Sequence, residues 1–239
     1  MGFWIVATLC AFFVKGLCGF ANTLVFTSIL SFGASNINIS PVELILGYPS
    51  NLIISFKERR SINPKVCIPL SLMVITGSLA GVLFLKKADI TLVKIIFGVL
   101  VILVGLEMLL RELSKKEAKP SRVLLTVIGI LSGFLCGLYG VGALLGAYIG
   151  RTTDNAGAFK ANICTVFFIE NTFRLILYGI YGIITIDAIK RAFTLAPFML
   201  VGLLAGMFCA GRIDDRGVKK LVIIMLIVSG IALILTNTL

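Results

Sequence analysis

The 239-residue sequence has no histidine and one tryptophan, and only 14% of its residues are charged. Without histidine a zinc site is not expected, and no nucleophile, metal or acid-base cluster supports a hydrolase. Its cysteines, Cys10, Cys18, Cys67, Cys136, Cys164 and Cys209, are scattered through apolar stretches with no C-x-x-C pair, which argues against a disulfide framework. No cofactor is expected. Met1 and Gly2 carry no basic region and no small-residue cleavage site closes the first apolar run, so that run is not expected to be a signal peptide. Polar faces are missing too. The stretches Val66 to Leu85, Ile90 to Leu110 and Leu221 to Leu235 are apolar almost all round, which excludes a water-soluble core and suits spans in lipid.

What is present agrees. Hydrophobic residues make up 59% of the chain and mean hydropathy is +1.08, far into the membrane range. The net charge of +11 would suggest nucleic acid in a soluble protein. Here the Lys and Arg residues sit mostly in short links between apolar runs and read as topology signals, so no nucleic-acid partner is expected.

The chain is duplicated. Gly16-Leu17-Cys18-Gly19-Phe20 matches Gly137-Leu138-Tyr139-Gly140-Val141, and Gly77-Ser78-Leu79-Ala80-Gly81 matches Gly202-Leu203-Leu204-Ala205-Gly206. The second match continues at one offset through Lys87 with Arg212, Asp89 with Asp214, Val93 with Val218, Lys94 with Lys219 and Gly105 with Gly230. The boundaries follow: a first repeat over 1–111, a charged linker over 112–122 and a second repeat over 123–239. Each half has four apolar segments. In the first they run from Phe3 to Phe32, Val42 to Phe56, Val66 to Leu85 and Ile90 to Leu110; in the second from Val123 to Ile149, Ala158 to Tyr181, Ala192 to Cys209 and Val218 to Leu235.

The opening segment of each half is longer than a hydrocarbon core of about 30 Å requires, and its glycine turn falls near the middle. It is either a tilted span or a re-entrant hairpin. If all eight segments cross, the basic residues divide almost evenly between the two sides. If both opening segments are hairpins, Lys86, Lys87, Lys94, Lys190 and Arg191 stand against the other fifteen basic residues of the links. That asymmetry is what the positive-inside rule expects, so the hairpin reading is preferred. It leaves three crossings per half and predicts an all-α membrane protein of two inverted repeats, each with a broken or re-entrant first segment plus three transmembrane helices. The termini then lie outside and the linker in the cytoplasm. Inverted repeats whose broken helices meet near the midplane are a transporter architecture.

Glycines at Gly16, Gly19, Gly137, Gly140 and Gly142 allow the backbone to unwind and present peptide N–H groups to an anion, or else allow close helix packing. Gly77 with Gly81 and Gly202 with Gly206 read as packing surfaces. Polar residues inside the apolar segments are few: Lys15 and Asn22 beside the first turn, Asn51 in the second segment, and Asn162, Glu170, Asn171 and Arg174 on one helix. Glu170 and Arg174, spaced i,i+4, form either a structural ion pair or a working one, in which Arg174 or Lys15 attracts an anion and Glu170 exchanges a proton. Asn51 and Asn171 occupy nearly equivalent places in the two halves, which favours a shared central site.

These features together resemble the sulfite exporter TauE/SafE family over essentially the whole chain. The resemblance rests on the two glycine turns, on Arg59-Arg60-Ser61-Ile62-Asn63, on Tyr178 with Gly182 and Asp187, and on the two G-x-x-x-G helices. The family pattern carries more glycine after each turn, where this chain has Ala21, Asn22 and Ala143. The resemblance implies a multi-pass protein of the prokaryotic plasma membrane. It further implies transport of a small sulfur-containing or organic anion, such as sulfite or a sulfonate, driven by a proton or sodium gradient. The alternatives are a channel, or a thiol-disulfide oxidoreductase using Cys18 and Cys136.

Overall fold

In a computed structural model the described residues are 1–30, 36–85, 122–139, 143–153 and 155–214, with single helical positions between 98 and 110 and between 217 and 235. Among them every regular element is helical: α1 (Gly2–Cys18), α2 (Asn22–Leu30), α3 (Asn36–Lys57), a 3-10 turn at Arg59–Ser61, α4 (Pro64–Leu85), α5 (Arg122–Tyr139), α6 (Ala143–Thr152), α7 (Ala156–Ile180) and α8 (Ile186–Ala210). Four stretches are long and apolar enough to cross a bilayer, Ile39–Lys57, Pro64–Val82, Ala156–Ile180 and Ile186–Ala210; α1 is a shorter apolar helix. Their outer faces are oily where a soluble protein would be polar: Leu72, Ile180, Phe193, Val201 and Phe208 are all exposed. The chain is a polytopic, all-helical membrane protein.

The first apolar segment is a hairpin. Gly19 ends α1 at φ 86° with its N–H on the Lys15 carbonyl, and Ala21, at φ 70°, also lies in the left-handed region. On a straight helix Trp4 and Phe26 would stand about 33 Å apart at 1.5 Å per residue. Their rings instead meet edge to face with centroids 5.8 Å apart. The chain therefore returns along α2 toward the end where α1 began.

Two helices begin earlier than hydropathy suggests. Hydropathy starts the second segment at Val42. Yet α3 starts at Asn36 and carries both Pro41 and Pro49. Burial of Ile39 and Leu44 overrides the hydrogen bonds that proline removes. The third segment of the second half was expected from Ala192, but α8 starts at Ile186. The Thr185 hydroxyl caps it by accepting from Ala188 N at 3.1 Å, and Asp187 sits at the positive end of its dipole.

The halves pack by exchange. α3 and α7 run antiparallel, with Ser55 bonded to Thr165, Tyr48 stacked on Phe168 at 4.9 Å and Ser40 bonded to Tyr178. α1 lies along α8, and α5 lies along α4. A Cβ on Gly202 would strike Leu9 O and Phe13 N, and one on Gly77 would strike Ile130 O and Phe134 N, which are the matching residues of the other half. Gly98 and Gly230, in the fourth segments, likewise meet backbone to backbone. The linker expected over 112–122 falls on residues outside the described set except for Arg122 at the start of α5.

Charge is polarised along the bundle. The end of α3, the start of α4, the start of α7 and the end of α8 gather Lys57, Arg59, Arg60, Lys65, Lys160 and Arg212 at one end, tied by Asn63 N donating to Asn162 Oδ1 at 2.8 Å. Lys190 and Arg191 mark the other, where the Arg191 guanidinium lies 4.3 Å over the Trp4 ring.

Candidate functional site

The centre of the α3–α7 contact holds the largest fully buried side chain in the described protein, Arg174, at 2% exposure. Its length lets one guanidinium reach three elements. Nη1 donates to the Cys136 carbonyl at 2.8 Å, and Nη2 donates to Asn171 Oδ1 at 2.9 Å. Nε stands 3.5 Å from Glu170 Oε1, one helical turn back, and Nη2 stands 3.9 Å from Glu43 Oε2 on α3. The Tyr178 ring lies 5.9 Å from the guanidinium carbon. The Cys136 carbonyl belongs to the last turn of α5, so Arg174 supplies a positive charge to the negative end of that half-helix.

Both carboxylates are themselves held. Glu170 Oε1 accepts from Ser78 Oγ of α4 at 3.0 Å. Glu43 Oε1 accepts from Asn22 Nδ2 and, at 2.8 Å, from Thr23 Oγ1, the first two residues of α2. The donors come from both repeats, and the site sits where the two halves touch. Two atoms of this cluster have no hydrogen-bond partner among the described residues, Glu43 Oε2 and Arg174 Nε. In a region closed to water such atoms are costly.

Of the residues singled out from sequence, Asn22, Glu170, Asn171 and Arg174 come together here. Lys15 is also buried, at 1% exposure, with its ammonium 6.0 Å from the Phe12 ring and within electrostatic reach of Glu43 and Arg174. Asn51, equally buried, lies one turn beyond Gly47 on α3, and its Oδ1 has no partner among the described residues. Gly16 packs against the α8 backbone at Leu203 and Gly206. Gly19 lies against Lys160, and its carbonyl accepts from Cys164 Sγ at 3.1 Å. Gly137 lies in the last turn of α5, while Gly140 and Gly142 fall outside the described residues. The two broken segments therefore reach α7 at different heights. The first touches Cys164 and the second touches Arg174, ten residues along the helix, or about 15 Å.

Beside the first turn, at the basic end, is a cavity of about 170 Å³. Gly16, Lys57, Glu58, Lys160 and Gly211 are among the residues that line it.

Glu43, Thr23 and Ser78 are absent from the sequence candidates. Glu43 follows Val42, the expected edge of its segment, and so resembles an interfacial residue. The earlier start of α3 puts it two turns inside the helix. Cys18 and Cys136, the candidates for redox chemistry, are both buried free thiols. Cys18 lies near Lys160, whereas the Cys136 carbonyl meets Arg174, fourteen residues further along α7. Those two residues of α7 lie about 21 Å apart along its axis.

With Lys15, Glu43, Glu170 and Arg174 all ionised the cluster is neutral. An entering anion would leave one uncompensated negative charge in a low-dielectric interior.

The family described as Sulfite exporter TauE/SafE matches residues 4–233, nearly the whole chain. No curated protein and no solved structure matches it significantly.

Proposed function

The chain belongs to the sulfite exporter TauE/SafE family, a family of membrane anion transporters rather than enzymes, and from that membership we propose a secondary transporter for a small sulfur-containing or organic anion such as sulfite or a sulfonate. The observation that carries the reading is Arg174, a buried guanidinium at the contact of the two halves whose Nε faces Glu170 Oε1 at 3.5 Å without a hydrogen bond. Planar guanidinium donors suit an oxyanion.

Charge balance supports coupling. The neutral cluster accepts an anion at low cost only if a cation accompanies it, and Glu170, paired with Arg174, is placed to take up a proton. Protonated Glu170 releases its hold on Arg174, so anion and proton travel in the same direction. Sodium beside the same carboxylates would serve the same balance.

The topology belongs to the same proposal. The repeats span 1–111 and 123–239, joined by a cytoplasmic linker over 112–122. Equivalent helices α3 and α7 run antiparallel, which supports inverted repeats. With the strongly basic end in the cytoplasm, the termini lie outside the plasma membrane.

Proteoliposomes containing the purified chain should accumulate labelled sulfite or a sulfonate faster when an imposed pH gradient drives protons in the same direction. Glu170→Gln should abolish the gradient dependence. If no oxyanion in a panel of sulfur oxyanions and organic acids moves, the transport reading is wrong. If the proton-driven flux survives in Glu170→Gln, the coupling assignment is wrong.

A further inference from the structure

The first turn of α2 is built as an oxyanion site, and a side chain of the protein already sits in it. α2 begins at Asn22 immediately after the left-handed residue Ala21, so its positive end points out of the break in the hairpin. Asn22 Nδ2 and Thr23 Oγ1 both donate to one oxygen of Glu43, which is 98% buried, and the Arg174 guanidinium approaches the other oxygen at 3.9 Å. Space around this carboxylate is kept by Gly47, one turn further along α3. A Cβ there would come within 3.1 Å of Glu43 Oε1 and within 3.7 Å of the amide nitrogens of both Asn22 and Asn171. An amide, a hydroxyl, a guanidinium and a half-helix dipole thus converge on a single carboxylate.

Most buried side-chain polar atoms have a hydrogen-bond partner. Here Glu43 Oε2 has no hydrogen-bond partner among the described residues, and neither has Arg174 Nε. The carboxylate occupies the donors without completing them.

We propose that the Glu43 carboxylate is a tethered stand-in for the transported anion, filling in this conformation the donors of Asn22, Thr23 and Arg174 that the free anion takes when it binds. The inference rests on the anion-transport reading above. For the anion to enter, Glu43 must withdraw from these donors, so the empty transporter holds its own competitor. The ligand class follows from the geometry. Two donors on one carboxylate oxygen and a guanidinium 3.9 Å from the other select an oxyanion that presents two oxygens, such as sulfite, over a spherical halide.

The test is sulfite binding to the purified full chain in detergent, measured by isothermal titration under anaerobic conditions and by the sulfite-dependent rise in melting temperature. Glu43→Gln keeps the volume and an acceptor oxygen but removes the competing charge. It should bind sulfite about tenfold tighter or better than wild type. Thr23→Val, which removes a donor from the anion itself, should bind more weakly, and equal concentrations of chloride should not displace sulfite from either variant. If Glu43→Gln fails to fold, Glu43→Asp, whose carboxylate is retracted by one methylene, is read in the same way. Sulfite binding that is unchanged or weaker in the Glu43 variant overturns the stand-in, as does displacement by chloride. Wild type that neither binds nor moves any oxyanion instead overturns the transport reading itself.

Discussion

Ala21 holds the break of the first hairpin at φ 70°, a region where a Cβ costs about 1–2 kcal/mol and glycine costs little. The chain tolerates this because Ala21 is buried, at 7% exposure, between Phe20 and the start of α2. Ala21→Gly should therefore relieve strain in the native state. We expect a stability gain of about 1 kcal/mol, after the greater freedom of glycine in the unfolded chain is subtracted. Thermal unfolding in detergent measures it, and a lower melting temperature would show that the break is not strained. A few residues away, strain gives way to electrostatics. Removing Arg174 from between two buried carboxylates would leave uncompensated charge, a loss of about 3–5 kcal/mol for a pair of this kind. The site is therefore held together by the same groups proposed to work in it.

Glycine spacing controls the contact between elements. α1 lies so close to α8 that a Cβ on Gly206 would overlap Phe13 O and come within 3.0 Å of the Gly16 backbone, and the obstacle is main chain that cannot swing aside. Hydrophobic burial against lipid does not bring such helices together; close backbone approach and dispersion do. Gly206→Val should force the pair apart and cost about 1–3 kcal/mol. Leu204→Val, on the exposed face of the same helix, should change stability by no more than about 0.5 kcal/mol. Melting temperatures of the two variants should separate clearly. Equal losses would mean that the glycine face is not the packing face. The same glycines set the height of the first turn, because Gly16 seats on Leu203 and Gly206 and so places Gly19 beside Lys160 and Cys164.

At the scale of the whole molecule, the basic end formed by Lys57, Arg59, Arg60, Lys65, Lys160 and Arg212 and the opposite end carrying Lys190 and Arg191 should lie on different sides of the membrane. In a variant stripped of its native cysteines, Arg60→Cys should react with an impermeant thiol reagent only from the cytoplasmic side and Lys190→Cys only from outside. Reaction of both from one side would contradict the topology. The apolar helices and the first hairpin were legible in the sequence, because their causes are local or statistical. Unbroken apolar runs dictate helices in lipid, matched glycine motifs betray duplication, and the distribution of Lys and Arg favours a hairpin over a tilted span. Helix boundaries were less legible. Ser40-Pro41 and the charged start of α8 look like links until packing and capping are added. The site was only half legible. Glu170, Asn171 and Arg174 share one helix, so their spacing alone brings them together. Glu43 has no such neighbour and no counterpart in the repeat: the shift that superposes Asn51 on Asn171 puts Ile163 opposite Glu43 and Ile54 opposite Arg174. Sequence periodicity determined which faces are apolar and which halves are related. Only the tertiary structure decided that a glutamate of one half would meet an arginine of the other, because that contact depends on the antiparallel register of α3 against α7 and on the fold-back of α2, and neither leaves a periodic trace in the chain.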